Sequence, residues 1–160
     1  MRVEYALRRA ERPMQYPESP ARTLVSTLVT ERLRKAGLRP TRQRVALATL
    51  LFGNGHRHVT AEELHAEAHG SRLPVSLATV YNTLNQFTEA GLLREVAIEG
   101  HRSYFDTNTS NHFHFYLEDE RKLFDIPGDD LQVRGLPELP PGTRIRRIDV
   151  IVRLEDEEAR

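Results

Sequence analysis

Apolar residues in the first half of the chain recur at three- and four-residue steps, the period of an amphipathic helix, and past residue 92 they change to alternation. Leu24, Val25, Leu28, Val29 and Leu33 form the first stripe, and Gly37 suits the position just past a helix end, so a helix is expected over about 22–36. Thr41 can cap a second helix through Val45, Leu47, Ala48 and Leu51 to the Gly53-Asn54-Gly55 turn, whose two glycines permit positive φ. Thr60-Ala61-Glu62-Glu63 has capping-box spacing and opens a short helix to His69. Pro74 breaks the chain, Ser76 offers an N-cap, and Leu77, Val80, Tyr81, Leu84 and Phe87 mark a fourth helix that stops at Gly91. Leu93 to Ile98 and Arg102 to Phe105 are β-branched or aromatic runs joined by Glu99-Gly100-His101, which reads as a hairpin. Two strands at about 112–117 and 122–126 flank the charged turn Glu118 to Arg121, and a last strand alternates Ile148, Val150, Val152 and Leu154 against polar neighbours. Pro127 to Pro141 carries four prolines and is expected to be irregular. Pro13, Pro17 and Pro20 among scattered charges make residues 1–20 a loose arm.

At 160 residues the chain can form one ordinary domain or two small ones. Its 39% hydrophobic and 29% charged residues lie outside the composition of disordered chains. The longest apolar run, Val45 to Phe52, is shorter than the roughly 20 residues of a membrane helix, and no apolar stretch follows the charged N-terminus as in a signal peptide. A soluble cytoplasmic protein without a membrane partner is expected. The absence of cysteine excludes disulfides, thiol nucleophiles and cysteine-bound structural zinc, so any metal must be held by nitrogen and oxygen. The net charge of zero conceals an uneven distribution: residues 1–50 carry 11 basic against 4 acidic side chains, residues 51–108 carry 4 against 7, and residues 109–160 carry 8 against 12. The basic front, with Arg32, Arg34, Lys35, Arg39, Arg42 and Arg44, suits phosphate contacts as well as a solvated helix face.

Several helices followed directly by a hairpin is the order of a winged helix, in which the last helix enters the major groove. Ser76, Thr79, Tyr81, Asn82, Thr83 and Asn85 offer hydroxyls and amides on the fourth helix, and asparagine suits adenine, which points to A/T-rich duplexes. Any one of these residues alone fits a solvated helix face. The ordered set of basic segment, capped helix and hairpin favours DNA binding.

Histidines supply the second candidate chemistry. His112 and His114 stand two apart in an expected strand and so share a face, which fits two imidazoles on one metal and fits a polar, exposed strand equally well. His65 and His69 lie on a Glu-rich short helix and read as solvated.

Ser76-Leu77-Ala78-Thr79-Val80-Tyr81, Leu84-Asn85-Gln86-Phe87 and Ala90-Gly91-Leu92 together resemble the ferric uptake regulator family. The likeness continues through Lys35 to Arg39, His58 to Leu64, Glu99-Gly100 and the histidine cluster, about two thirds of the chain. Tyr81-Asn82-Thr83-Leu84, Tyr104-Phe105-Asp106-Thr107-Asn108 and Asp125-Ile126-Pro127 are most similar to its iron response regulator branch. The resemblance implies an α+β chain: an N-terminal winged-helix DNA-binding domain over 21–107, followed by a small α/β dimerisation and ligand-sensing domain over 108–160. It further implies a homodimer on pseudo-palindromic A/T-rich operators of double-stranded DNA, repressing or otherwise controlling iron and haem metabolism genes in response to iron or haem. By position, Tyr81 would touch a thymine methyl or base edge, Arg39 the minor groove and Arg44 a phosphate. Asn82 replaces a common arginine, which shifts preference from guanine or phosphate towards adenine.

The same resemblance adds His58, Glu99 and Asp125 to His112 and His114 as a metal site. It implies one divalent metal per subunit (Mn, Fe or Zn), with haem on His112 or His114 as a further or competing ligand. The weaker alternative from another class is a metal-dependent hydrolase, or a metal or haem carrier, built on His112 and His114. No HExxH, GxSxG, GxxxxGK or Rossmann glycine pattern supports an enzyme, so none is expected.

Overall fold

The computed structural model describes residues 20–98, 102–127 and 131–155; the expected N-terminal arm lies outside them but for its last residue. Four helices come first: α1 (Pro20–Lys35), α2 (Arg42–Phe52), α3 (Ala61–Gly70) and α4 (Leu77–Glu89). Each of the last three starts where a side chain satisfies an orphan backbone N–H. Thr41, Thr60 and Ser76 accept from Arg44, Glu63 and Thr79 respectively, and Glu63 reaches back to the Thr60 N–H at 2.8 Å to complete the capping box. α1 ends as expected, with Gly37 at φ +76° and the Leu38 N–H donating to the Leu33 carbonyl. The two glycines after α2 serve different purposes. Gly55 takes positive φ, whereas Gly53 stays right-handed and is required for space, since a Cβ there would lie 2.6 Å from the Thr49 carbonyl oxygen.

Between α2 and α3 lies a two-residue strand, β1 (His58–Val59), too short to leave a periodic signal. It pairs with β3 (Arg102–Asp106), which also pairs with β2 (Arg94–Ile98), giving an antiparallel sheet in the order β1-β3-β2. The second sheet, in the order β5-β4-β6, holds β4 (His114–Leu117) between antiparallel β5 (Lys122–Asp125) and parallel β6 (Ile151–Leu154). Residues 131–150 contain no helix or strand.

Two clusters hold the fold. The larger one joins all four helices to the first sheet through Leu33, Leu47, Leu51, Leu64, Leu84, Phe87 and Phe105. The smaller one places Val96, Ile98 and Tyr104 of the β2–β3 hairpin against Tyr116, Leu123 and Ile151 of the second sheet. β3 therefore joins the two layers, with Phe105 in the larger cluster and Tyr104 in the smaller, while Glu95 and Ala97 of β2 are exposed. The last strand starts three residues later than the alternation suggested, and the residue it packs inward is Ile151; Ile148, Val150 and Val152 are half-buried and Leu154 is exposed. Among the described residues no helix is long and apolar enough to cross a membrane.

Candidate metal centre and nucleic-acid interface

The pairing register brings the chemistry together. In the first sheet His58 on β1 faces Asp106 at the end of β3, and in the second His114 on β4 faces Asp125 at the end of β5. His112, just ahead of β4, folds over the junction. The result is a cluster of three imidazoles and two carboxylates, His58, Asp106, His112, His114 and Asp125, each offering one atom within 4.8 Å of all the others. His112 Nε2 lies 2.9 Å from Asp106 Oδ2 and 3.2 Å from Asp125 Oδ1. His114 Nε2 lies 3.3 Å and 3.7 Å from the same oxygens, and His58 Nε2 lies 3.6 Å and 2.8 Å from them. Bonds of about 2.1 Å to one ion would put neighbouring donors roughly 3.0 Å apart in octahedral geometry and about 3.4 Å apart in tetrahedral geometry, so the spacing suits a single cation.

Three further observations fit a cation. His58 Nε2 and Asp125 Oδ1 are buried and lack a hydrogen-bond partner despite their 2.8 Å approach. His112 Nε2 and His114 Nε2 face each other at 3.0 Å, an arrangement that needs a proton or a metal between two lone pairs. His112 Nδ1 lies 2.9 Å from the Ser110 carbonyl, which only accepts, so the hydrogen sits on Nδ1 and Nε2 keeps its lone pair for a metal. Asn108 orients both carboxylates: its backbone N–H donates to Asp106 Oδ1 at 2.7 Å and its side-chain amide to Asp125 Oδ2 at 3.2 Å. That leaves Asp106 Oδ2 and Asp125 Oδ1 pointing at the imidazoles.

Asp106 was not among the expected ligands. Glu99, which was, lies outside the described residues. The only sequence hint was an acidic residue closing an aromatic strand. Haem ligation by His112 or His114 finds no support among the described residues: the two side chains are 8% and 1% exposed and their Nε2 atoms face carboxylates.

Burial alone would push the Asp106 carboxyl up, but the His114 and His58 rings beside it and the Asn108 N–H outweigh this and hold it well below the usual carboxylate range. A lowered carboxylate stabilises the fold fully above its unfolded value of about 3.9 and loses that contribution as pH falls through the folded value. The Tm of the metal-free chain should accordingly fall below about pH 4, and Asp106→Asn should flatten that part of the profile. Equal slopes for the two proteins in thermal melts would remove Asp106 from the acid response.

The candidate DNA face is sorted by what its side chains already touch. Tyr81 and Asn82 are exposed on α4 and Arg39 is exposed ahead of α2. The Tyr81 hydroxyl donates to Glu62 Oε1 at 2.7 Å, and that hydrogen bond, with some burial and the carboxylate's charge, holds the phenol above its ordinary pKa as a donor. The Ser76 and Thr79 side chains lie 2.9 Å apart and close the α4 cap. Thr83 is buried and donates to the Thr79 carbonyl, so it leaves the outward face. Arg44 is half-buried: Nε and Nη2 both donate to Gln86 Oε1, and Nη1 donates to the Arg39 carbonyl at 2.9 Å. It braces α2 against α4. Arg32 lies over the Phe52 ring at 3.9 Å. His65, expected to be solvated, is half-buried with Nε2 3.1 Å from the Val75 carbonyl at the entrance to α4.

Residues 35–138 match the profile of the ferric uptake regulator family. The peroxide-responsive repressor PerR of Staphylococcus epidermidis is 40% identical over 95 residues, 59% of this chain and 62% of its own length. That of Staphylococcus aureus is 38% identical over 94 residues, 59% of this chain and 63% of its own. The chain thus spans somewhat over three-fifths of these relatives. The ferric uptake regulator from Pseudomonas aeruginosa, solved with manganese, is similar at a TM-score of 0.64 and 25% identity, over 81% of this chain and 98% of that one. The Vibrio cholerae ferric uptake regulator shares the fold at a TM-score of 0.63 and 23% identity, over 79% and 98% of the two chains.

Proposed function

Because the chain belongs to the ferric uptake regulator family, we propose that it is a DNA-binding transcriptional regulator whose operator affinity is set by one divalent cation held by His58, Asp106, His112, His114 and Asp125. The observation that carries this reading is the convergence of five donors from both sheets on one point. A cation there would tie β1 and the end of β3 to β4 and β5, favour one arrangement of the winged helix over 21–107 against the segment 108–160, and so fix how α4 is presented. Three nitrogens and two oxygens permit five- or six-coordination, which suits manganese or iron better than the tetrahedral site zinc prefers. The Pseudomonas aeruginosa relative, solved with manganese, agrees with that choice. The protein acts as a homodimer on A/T-rich pseudo-palindromic sites, since a two-fold protein suits a two-fold operator, and responds to iron. The likeness to peroxide-responsive repressors favours a second reading of the signal, peroxide. The regulator family of the chain does not favour the hydrolase alternative.

Anisotropy titrations against A/T-rich duplexes, with chelator, Mn(II), anaerobic Fe(II), Zn(II) and haemin, test this reading. Metal removal should change duplex affinity by about 5- to 150-fold, the range of ordinary allosteric coupling. Peroxide added to the Fe(II) form separates the two signals. A chain that ignores duplex DNA, or binds it equally under every addition, would overturn the proposal.

In that reading Tyr81 and Asn82 meet base edges, Ser76 and Thr79 complete the surface at the start of α4, and Arg39 reaches the minor groove. Tyr81→Ala should narrow the difference between operator and random duplex by about 1–3 kcal/mol. Arg44, engaged with Gln86 and the Arg39 carbonyl, acts first as a brace. Arg44→Ala should weaken all duplexes alike with an unchanged salt slope. A slope reduced by about one unit would restore it to a phosphate contact.

A further inference from the structure

Arg94 is a charged side chain buried where nothing in the proposed metal site or DNA face requires it. It sits on β2, 5% exposed, and its backbone register partner on β3 is Asp106. Its guanidinium leaves the first sheet and crosses to the second. Nη1 donates to the His112 carbonyl at 3.1 Å and to the Ser110 carbonyl at 3.3 Å, while Nη2 donates to Asp149 Oδ1 at 2.5 Å. The Ser110 carbonyl is also the one that faces His112 Nδ1. Asp149 leads into β6, and the next residue, Val150, accepts the His114 N–H at 3.1 Å. One fork thus grips the turn that carries His112 and the strand that backs His114.

Burying a guanidinium is costly unless its hydrogens are satisfied, and here Nε has no partner. Residues that orient ligands from outside a metal's first coordination sphere commonly tune its affinity as strongly as this geometry implies. We propose that Arg94 is a positioning residue of the metal centre, holding the Ser110–His112 turn so that His112 Nε2 faces the two carboxylates, and tying that turn to the sheet that also bears Asp106. This rests on the five-donor site of the proposed function but on none of its DNA chemistry.

Co(II), whose visible absorption reports coordination number and geometry, is the probe, titrated into the full metal-free chain without DNA. Arg94→Met keeps the length and removes the fork. Its Co(II) affinity should fall about 10- to 100-fold, with an altered d–d spectrum at saturation. Arg94→Lys should recover part of that loss, because an ammonium can reach a carbonyl or the carboxylate but cannot bridge both as a planar fork does. Asp149 has a side chain 42% exposed, so Asp149→Ala tests the same link at little risk to folding. It should lower affinity in the same direction, and Arg94→Met combined with Asp149→Ala should be no worse than Arg94→Met alone. Unchanged Co(II) affinity and spectrum in Arg94→Met, or in Asp149→Ala should Arg94→Met fail to fold, would overturn the assignment. A wild-type chain that takes Co(II) yet leaves duplex binding unaltered would sink the regulator reading and leave Arg94's role standing.

Discussion

Asp106→Ala is expected to lower the affinity for Mn(II) or Co(II) by more than about 100-fold, beyond the 10- to 100-fold typical of residues that only support ligands. The carboxylate is fully buried, and its Oδ2 lies 2.9, 3.3 and 3.6 Å from the Nε2 atoms of His112, His114 and His58. No other atom of the cluster serves all three imidazoles except Asp125 Oδ1, whose side chain is one-third exposed. Deleting Asp106 leaves the cation with half the negative charge and the imidazoles without their buried partner. Asp106→Asn keeps the volume and the contact with the Asn108 N–H but loses the charge, and should fall between wild type and alanine. Isothermal titration of the two variants decides the matter, and wild-type affinity in Asp106→Ala would remove Asp106 from the site.

Phe87→Ala should destabilise the chain by about 3–5 kcal/mol, the range for emptying a fully buried aromatic site. Phe87 has no exposed surface, packs 6.3 Å from the Phe52 ring, and belongs to the cluster that joins all four helices. Its carbonyl also receives the N–H groups of Leu92 at 2.8 Å and Leu93 at 3.3 Å, where α4 turns into the hairpin. The side chain thus seats α4 while the backbone of the same residue fixes its exit. Against a typical total stability of about 5–15 kcal/mol, the loss should bring urea unfolding to a much lower midpoint with little change in slope. Phe52→Ala, at a half-buried ring, should cost less. A change below about 1 kcal/mol for Phe87→Ala would show that the helices do not share one core.

The helices were legible because their determinants are local. Thr41, Thr60 and Ser76 cap the helices they were expected to cap, and most of the apolar stripe residues are turned inward, whereas Leu24 and Leu28 of α1 and Tyr81 of α4 are exposed. What escaped depends on contacts between segments distant in the chain. β1 is two residues long and exists only because Val59 meets Phe105. Asp106 becomes a candidate ligand through its register opposite His58 and the return of the chain through Asn108, neither of which any spacing encodes. Arg44 reads as a free cation until Gln86, forty-two positions away, takes up two of its nitrogens. The histidine pair, in contrast, was visible because alternation along a strand is itself local. The last strand misled for the opposite reason: its alternation is real, but β6 is an edge strand covered on one side only, so Ile151 is the residue that finds a core.

The five donors are scattered from residue 58 to residue 125, and the strand that backs β4 comes later still, at Ile151–Leu154. A polypeptide emerging from the ribosome therefore holds only scattered imidazoles and carboxylates until Asp125 and β6 have followed His58 out. In the proposed reading an ion is captured only once β6 has emerged, and a product cut short before Ile151 should compete poorly for scarce metal.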